Sequence, residues 1–443
     1  MTFQKLRVSE DGHRLLNADG SVFFYLADTA WRLARALDRE ETEFYLDKRA
    51  AQGFNAIQVV ALDEFDGIRR PNRYGRHPFE QVGVDAYDPL RPDLDGGYSY
   101  WAHLDFVVTE AEKRGLYVAL LPTWGDKFYQ MGGYGPELFT VDNARGYGQW
   151  LGERYCERPN IIWVLGGDRP LGRMRHFEVV RAMAEGIKAS SDDHLMTLHP
   201  RGGESSAASV GEEAWLDFNM IQSGHSRRRF NHEMTSRDYA VTPAKPVLDG
   251  EPGYEHHPDD FIPANGYLDA TDCRQEFYWS VLSGACGHTY GSHSVWGFWT
   301  PPVTGYRHID RPGHFCMDWR QALDGGGANA MRIGRDIVLS RDFAHAQPRP
   351  DLVNSQLPGV NHVPVLAGPD YAMAYIAQGV PATLCADKLP FGAFRVTWVN
   401  PRTGEHTAAG EGNAQDELRF VPPTGGRGQD WVLLLDRMEP ASA

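Results

Sequence analysis

Two acidic residues stand where a carboxyl group can do chemistry. Asp168 follows the apolar run Ile161-Ile162-Trp163-Val164-Leu165 and the pair Gly166-Gly167; Glu251 follows Pro246-Val247-Leu248-Asp249-Gly250. Glycine lets a backbone turn sharply at a strand exit, and Pro170 and Pro252 stiffen the chain just beyond each acid. Two carboxyl groups facing one cleft suit the cleavage of an acetal. The protonated one donates to the leaving oxygen, and the ionised one attacks the anomeric carbon or activates water. Burial and like charge raise one pKa, while hydrogen-bond donors keep the other group ionised. The pattern assigns Asp168 as acid/base and Glu251 as nucleophile; retention of configuration is the expected outcome, and inversion stays open because the carboxyl separation decides it. An Asp ahead of a helix is also an ordinary N-cap, so position alone leaves both readings of Asp168 open.

These residues must be positioned by a scaffold. The first 340 or so residues alternate short apolar runs with longer helical patterns, as repeated βα units do. Eight runs qualify as strands: 23–27, 56–62, 116–121, 161–165, 194–200, 217–222, 246–249 and 287–290. Helical stretches are predicted near 39–52, 100–114, 142–156, 174–189, 273–283 and 319–339. The predicted class is α/β, a (β/α)8 barrel (TIM barrel), over residues 1–343. Strands four and seven then lie nearly opposite, and the site occupies the C-terminal strand ends. Other polar or aromatic residues at those ends are expected to bind substrate: Asp28 and Trp31 after the first strand, Trp124 after the third, His199 after the fifth, Gln222 and His225 after the sixth, and His288 in the eighth. Asp63, Glu64 and Asp126 occupy strand ends as well. Helix capping and core packing compete with a binding role at each.

Between Asp63 and Gly97 lies a long Pro-, Gly-, Asp- and Arg-rich loop, of a length that usually serves a function. Trp296-Gly297-Phe298-Trp299 is either a cap over the cleft, with Trp296 against substrate, or a buried loop anchor. Gly325-Gly326-Gly327 lacks the Lys-Ser/Thr of a phosphate loop and reads as a loop or helix break. After about Phe343 the pattern changes to short strands punctuated by Gly and Pro. Residues 344–443 are therefore expected to form a small antiparallel β-sandwich.

Composition narrows the partners. In 443 residues, 44 Lys plus Arg against 59 Asp plus Glu give a net charge of −15, which disfavours nucleic acid and anionic membranes. No apolar run reaches the roughly 18 residues of a spanning helix, and the N-terminus has no secretory h-region. Cytoplasmic residence is expected, or secretion with a signal peptide missing from this sequence. The 5 cysteines are scattered without C-x-x-C spacing, and the adjacent pair His256-His257 is not the helical i, i+4 ligand pair of H-E-x-x-H. No metal or other cofactor is expected. A small carbohydrate or glycoside is the expected partner, and oligomeric state is not legible.

Several motifs together resemble one family. Phe24-Tyr25-Leu26-Ala27-Asp28-Thr29-Ala30-Trp31, Gly53-Phe54-Asn55-Ala56-Ile57-Gln58, Trp163-Val164-Leu165-Gly166-Gly167-Asp168, His199-Pro200 and Asp249-Gly250-Glu251-Pro252 resemble the apiosidase-like family, glycoside hydrolase family 140. Tyr371–Ile376 and Trp398-Val399-Asn400-Pro401-Arg402-Thr403-Gly404 resemble the domain that usually follows, often labelled putative collagen-binding. The resemblance runs from about Leu6 to Leu435. It implies a barrel glycosidase with Asp168 as acid/base and Glu251 as nucleophile, removing β-linked D-apiose from pectic side chains. Another furanoside, such as an arabinofuranoside, and a non-catalytic carbohydrate-binding barrel are the alternatives.

Overall fold

The computed structural model describes residues 3–307, 309–414 and 417–438. Among the described residues, eight strands and eight helices alternate through the body of its first part, beside the antiparallel pairs Arg7–Val8 with Leu15–Leu16 and Phe79–Gly83 with Ala86–Pro92 and the short helices Leu33–Ala36 and Trp319–Ala322. The strands are Tyr25–Thr29 (β1), Ala56–Val60 (β2), Tyr117–Leu121 (β3), Ile161–Gly166 (β4), Met196–His199 (β5), Asn219–Ile221 (β6), Val247–Asp249 (β7) and Gly287–Tyr290 (β8). The helices that follow them in turn are Arg39–Ala51 (α1), Tyr100–Lys113 (α2), Val141–Tyr155 (α3), Met174–Lys188 (α4), Ser206–Val210 (α5), Asn231–Tyr239 (α6), Ala270–Leu282 (α7) and Gly326–Leu339 (α8). Local chemistry sets several helix starts. The Asp38/Glu41, Thr140/Asn143 and Asp269/Asp272 pairs are reciprocal capping boxes at α1, α3 and α7.

The strands are buried on both faces and mostly apolar, with a few polar residues such as Asp28, Gln58 and His288 among them. In β3, Tyr117, Ala119 and Leu121 point to an inner cluster, while Val118 and Leu120 join the core under the helices. In β4, Ile162 and Val164 point inward and Ile161, Trp163 and Leu165 outward. The parallel ladder is continuous in the order β8-β1-β2-β3-β4-β5, and β6 pairs with β7 separately. The result is a curled parallel sheet whose ladder spans six strands rather than the predicted continuous eight. β6 and β7 are three residues each, and at the β5–β6 border side chains take over: the Met196 N–H goes to the Asp217 carboxylate (2.7 Å), and the Thr197 hydroxyl bonds the Phe218 carbonyl (2.6 Å).

The C-terminal part is antiparallel. Gln347–Pro348 (β9), Val365–Ala367 (β10), Tyr371–Ile376 (β11), Ala382–Cys385 (β12), Ala393–Val399 (β13), His406–Asn413 (β14), Glu417–Phe420 (β15) and Trp431–Arg437 (β16) form one six-stranded sheet, ordered β9-β10-β11-β16-β13-β14, and a separate β12–β15 ribbon. The sequence predicts a sandwich, yet the sheet's second covering layer is the first part of the chain itself. Trp431, Leu433 and Leu435 face the ribbon, whereas Val432 and Leu434 join the core of the first part. Tyr371, Met373 and Tyr375 alternate in the same way with Ala372 and Ala374. Tyr375 stacks on Tyr278 of α7 with ring centroids 4.5 Å apart, and buried Asp430 accepts two bonds from Arg274 at 2.9 Å and one from the Tyr375 hydroxyl at 3.0 Å.

Candidate active site

A pocket of about 450 Å³ opens at the C-terminal strand ends, and Asp168 and Glu251 both line it. Glu251 is nearly enclosed. The Nε2 of His225 lies 3.2 Å from one carboxylate oxygen, and the Nε2 of His199 lies 2.9 Å from the other, at an angle poor for a hydrogen bond. Backbone donors decide which ring nitrogens carry hydrogen. The Asp168 N–H donates to His199 Nδ1 and the Tyr254 N–H to His225 Nδ1, each at 3.3 Å. A neutral imidazole that accepts at Nδ1 carries its proton at Nε2, so both rings turn an N–H toward Glu251. Burial alone would raise its pKa; the two imidazoles outweigh burial and hold it well below the ordinary range.

Asp168 lies in the opposite electrostatic setting. Desolvation raises its pKa first, the Glu251 and Glu64 charges add to this, and Arg169 and His199 only partly offset them, so it is pushed up to about 6. Its side chain stays 34% exposed to the pocket. One oxygen accepts the Gly202 N–H at 3.3 Å, and the other meets Arg169 at 3.2 Å. Arg169 also bonds Glu64 at 3.0 Å. The backbone here is unusual: Asp168 has φ 52° after Gly166 at 86° and Gly167 at 102°. A Cβ on Gly166 would run into the His199 carbonyl, and one on Gly167 would meet the Gly125 nitrogen at 2.7 Å. A side chain held in this left-handed region marks over-determined local structure, as at many functional sites. Arg173, not Asp168, occupies the N-cap of α4, which removes the capping explanation.

Among the other expected binding residues, Trp31, Trp124, Gln222, His225 and Trp296 line the pocket. His199 lies behind Glu251, fully buried between the Trp31 and Trp124 rings at 5.3 and 5.5 Å. Two expectations are corrected. Asp28 points outward from β1 into the helix layer, where it is 0% exposed and bonds Arg49 at 2.7 Å and Tyr45 at 2.6 Å. His288 likewise points outward from β8 and bonds Ser280 of α7 at 3.0 Å. Strand parity is the cause: Ala27 occupies the inward position beside Asp28.

Tyr254, Arg201, Arg229, His257 and His293 also line the pocket and were not among the expected binding residues. Tyr254 comes three residues after Glu251, and its hydroxyl accepts the Trp31 indole N–H at 2.9 Å; proximity to Glu251 was its available signal. The arginines and histidines come from irregular loops, where sequence has no period to read. The triglycine begins α8 rather than breaking it. Gly327 N–H donates to Glu255 at 2.9 Å, and a Cβ on Gly327 would lie 2.9 Å from that carboxylate. This helix N-terminus thus holds an anion supplied by the chain itself. Among the described residues no group of His, Cys, Asp or Glu is arranged to hold a metal, and no helix is long and apolar enough to cross a membrane.

The model of the apiosidase-like catalytic domain matches residues 9–345. The chain belongs to the apiosidase-like family. A model described as the putative collagen-binding domain of a collagenase matches residues 348–436. Among solved structures, this apiosidase-like chain is similar to one described as a glycoside hydrolase, at 32% identity and a TM-score of 0.86, covering 98% of this chain and 97% of that one. A second, described as a glycoside hydrolase family 5 protein from Bacteroides vulgatus ATCC 8482, gives 30% identity and a TM-score of 0.88, covering 98% and 94%. A putative glycoside hydrolase from the same organism, 14% identical with a TM-score of 0.70 over 99% and 83%, shares the fold. No curated protein matches. The apiosidase-like chain is a glycosidase acting on carbohydrate.

Proposed function

We propose that this glycosidase is a retaining furanosidase of glycoside hydrolase family 140, releasing terminal β-D-apiose from plant-derived glycosides or pectic side chains. The observation that carries the mechanism is the opposed pair of environments in one pocket: burial, with the Glu251 and Glu64 charges added, raises Asp168 to about 6, and the His199 and His225 imidazoles favour ionised Glu251. Glu251 attacks the anomeric carbon while Asp168 gives its proton to the leaving oxygen, forming a glycosyl-enzyme ester. Asp168, now ionised, takes a proton from water, which displaces Glu251 and restores both groups. The Trp124 indole N–H and the Gln222 carbonyl have no protein partner, as suits groups kept for sugar hydroxyls, and Trp31 and Trp296 supply flat walls. The strands form a ring in this reading. Single backbone bonds of 2.8 Å, Asp217 N–H to Met196 and Cys286 N–H to Val247, support its closure. The catalytic part ends near residue 343.

Apiose rests on the family. It is tested by incubating the protein with natural apiosides and a panel of aryl pentofuranosides, following the first-formed anomer by NMR. β-Apiose appearing first is the expected result. An inverted product overturns the nucleophile assignment, and turnover of arabinofuranosides alone overturns the sugar.

A further inference from the structure

A second cleft lies one aromatic layer from the catalytic pocket. It is open, about 380 Å³, and is walled by the segment around Pro71–Arg73 and the loop from Gly297 to Tyr306. Phe65 and Trp296 line the catalytic pocket, and Phe65 packs at 5.5 Å on Trp299 and 5.7 Å on Tyr306, which line the cleft.

Its charge is one-sided. Arg32, Arg35 and Arg73 line it, and no carboxylate does among the described residues. Asp63 behind the wall is already paired with Arg35, through both its oxygens, and lies 3.8 Å from Arg32 Nε. Arg73 is 55% exposed, with Glu41 only at 3.9 Å. Arg32, by contrast, is 5% exposed, lies over the Trp299 ring at 4.1 Å and bonds the Gly297 carbonyl at 3.1 Å. Three buried polar atoms of the lining residues lack a hydrogen-bond partner: Asn72 Nδ2, Trp299 Nε1 and Arg32 Nε, the last with only the Asp63 ion-pair contact at 3.8 Å. All three are donors. The Tyr306 phenol reports the same field: burial would raise its pKa, yet Arg32, Arg35 and Arg70 draw it below its usual value. A buried cation without a full counter-charge is costly, and a chain of net charge −15 has concentrated cations here.

We propose that this cleft binds an oxyanion, a carboxylate or sulfate, carried by the carbohydrate beyond the sugar that is cleaved. Arg73 at the rim and Arg32 at the floor supply the charge, and the Trp299–Tyr306 aromatic wall supports the ring that bears it. The proposal relies on the glycosidase reading only for the carrier, so binding is measured without turnover.

Calorimetry on the full chain at low ionic strength, where exposed charges are least screened, uses methyl β-D-glucuronide, methyl β-D-glucoside and sodium sulfate. The glucuronide should bind and the glucoside should not. Arg73→Gln and Arg32→Lys should each weaken binding by about tenfold, the effect of losing one charge-assisted hydrogen bond, while Glu251→Gln leaves it unchanged. Arg73→Gln alters an exposed rim, so its fold and its turnover of small aryl glycosides should be retained. Sulfate binding as tightly as glucuronide supports recognition of the charge alone; glucuronide binding only supports recognition of a uronate ring. Absence of binding by either anion, or parent-like affinity in both arginine variants, overturns the site. Anion binding without turnover of any glycoside would overturn the glycosidase reading and leave the site standing.

Discussion

Asp28 and Glu251 are both almost wholly buried carboxylates at strand ends, and their neighbours give them opposite uses. Asp28 faces the helix layer and is closed by Arg49 and Tyr45, in contacts of 2.7 and 2.6 Å. Glu251 faces the pocket and is met by imidazole N–H groups of His225 and His199. An arginine neutralises its partner and fixes it in place. Two imidazole donors keep a carboxylate ionised while one side of it stays open to an incoming carbon. Burial is common to both, so partner chemistry and direction separate an architectural acid from a reactive one.

The comparison is broken most severely at Glu251. Glu251→Ala should lower kcat roughly ten-thousand-fold, as removal of a covalent nucleophile does, with the protein still folded by circular dichroism. If Glu251→Ala retained activity near that of the parent, the contrast with Asp28 would lose its meaning. Asp28→Ala should act on stability instead, costing about 3–5 kcal/mol because it strands the buried Arg49 cation. Urea unfolding measures that loss, and the folded fraction should turn over substrate normally.

A smaller effect sharpens the role of the imidazoles. His225→Ala removes one N–H bond to Glu251 and should lower kcat about ten- to a hundred-fold, in line with a hydrogen bond to a charged group. The acid limb of the pH–rate profile should move to higher pH at the same time. A kcat loss without that movement would mean that His225 only shapes the pocket.

Titration separates Asp168 from both. With Asp168 as the proposed acid, kcat/KM on poor leaving groups should fall as pH rises through about 6. The acid limb, set by Glu251, should lie below the ordinary glutamate range. Asp168→Asn should remove the alkaline limb and spare activated aryl glycosides more than unactivated ones. It should also slightly raise the melting temperature. A folded pKa raised above the ordinary aspartate value of 3.8 means that Asp168 contributes least at high pH, so the gain should appear as pH rises from about 4 to 6 and vanish below that. Melting curves across that range check it.

The last four strands, shorter and carrying polar residues, were legible mainly by their place between helical stretches. The first four were legible as apolar runs, because a parallel strand buried on both faces has no alternation to mislead. That same continuity hid parity. Nothing in Phe23-Phe24-Tyr25-Leu26-Ala27-Asp28 says which side Asp28 takes, and the inward position fell to Ala27. Asp168 and Glu251 were visible through their glycines, which the crowding around Gly166 and Gly167 now explains. The site's Arg201, Arg229, His257 and His293 come from loops whose shape depends on contacts far apart in the chain. The break in the ladder between β5 and β6 was equally hidden, since there the Asp217 and Thr197 side chains substitute for backbone partners.

The alternation in β11 and β16, with one set of side chains serving the sheet's own core and the other set serving the glycosidase, has a practical corollary. Severed after Phe343, the tail would carry Tyr371, Met373 and Tyr375 as a bare greasy stripe, and the remaining enzyme would bare Tyr278 and orphan Arg274. Neither half is a cassette that can be moved between proteins. Heat should melt the two as one body, and a protease should find no hinge to cut between them.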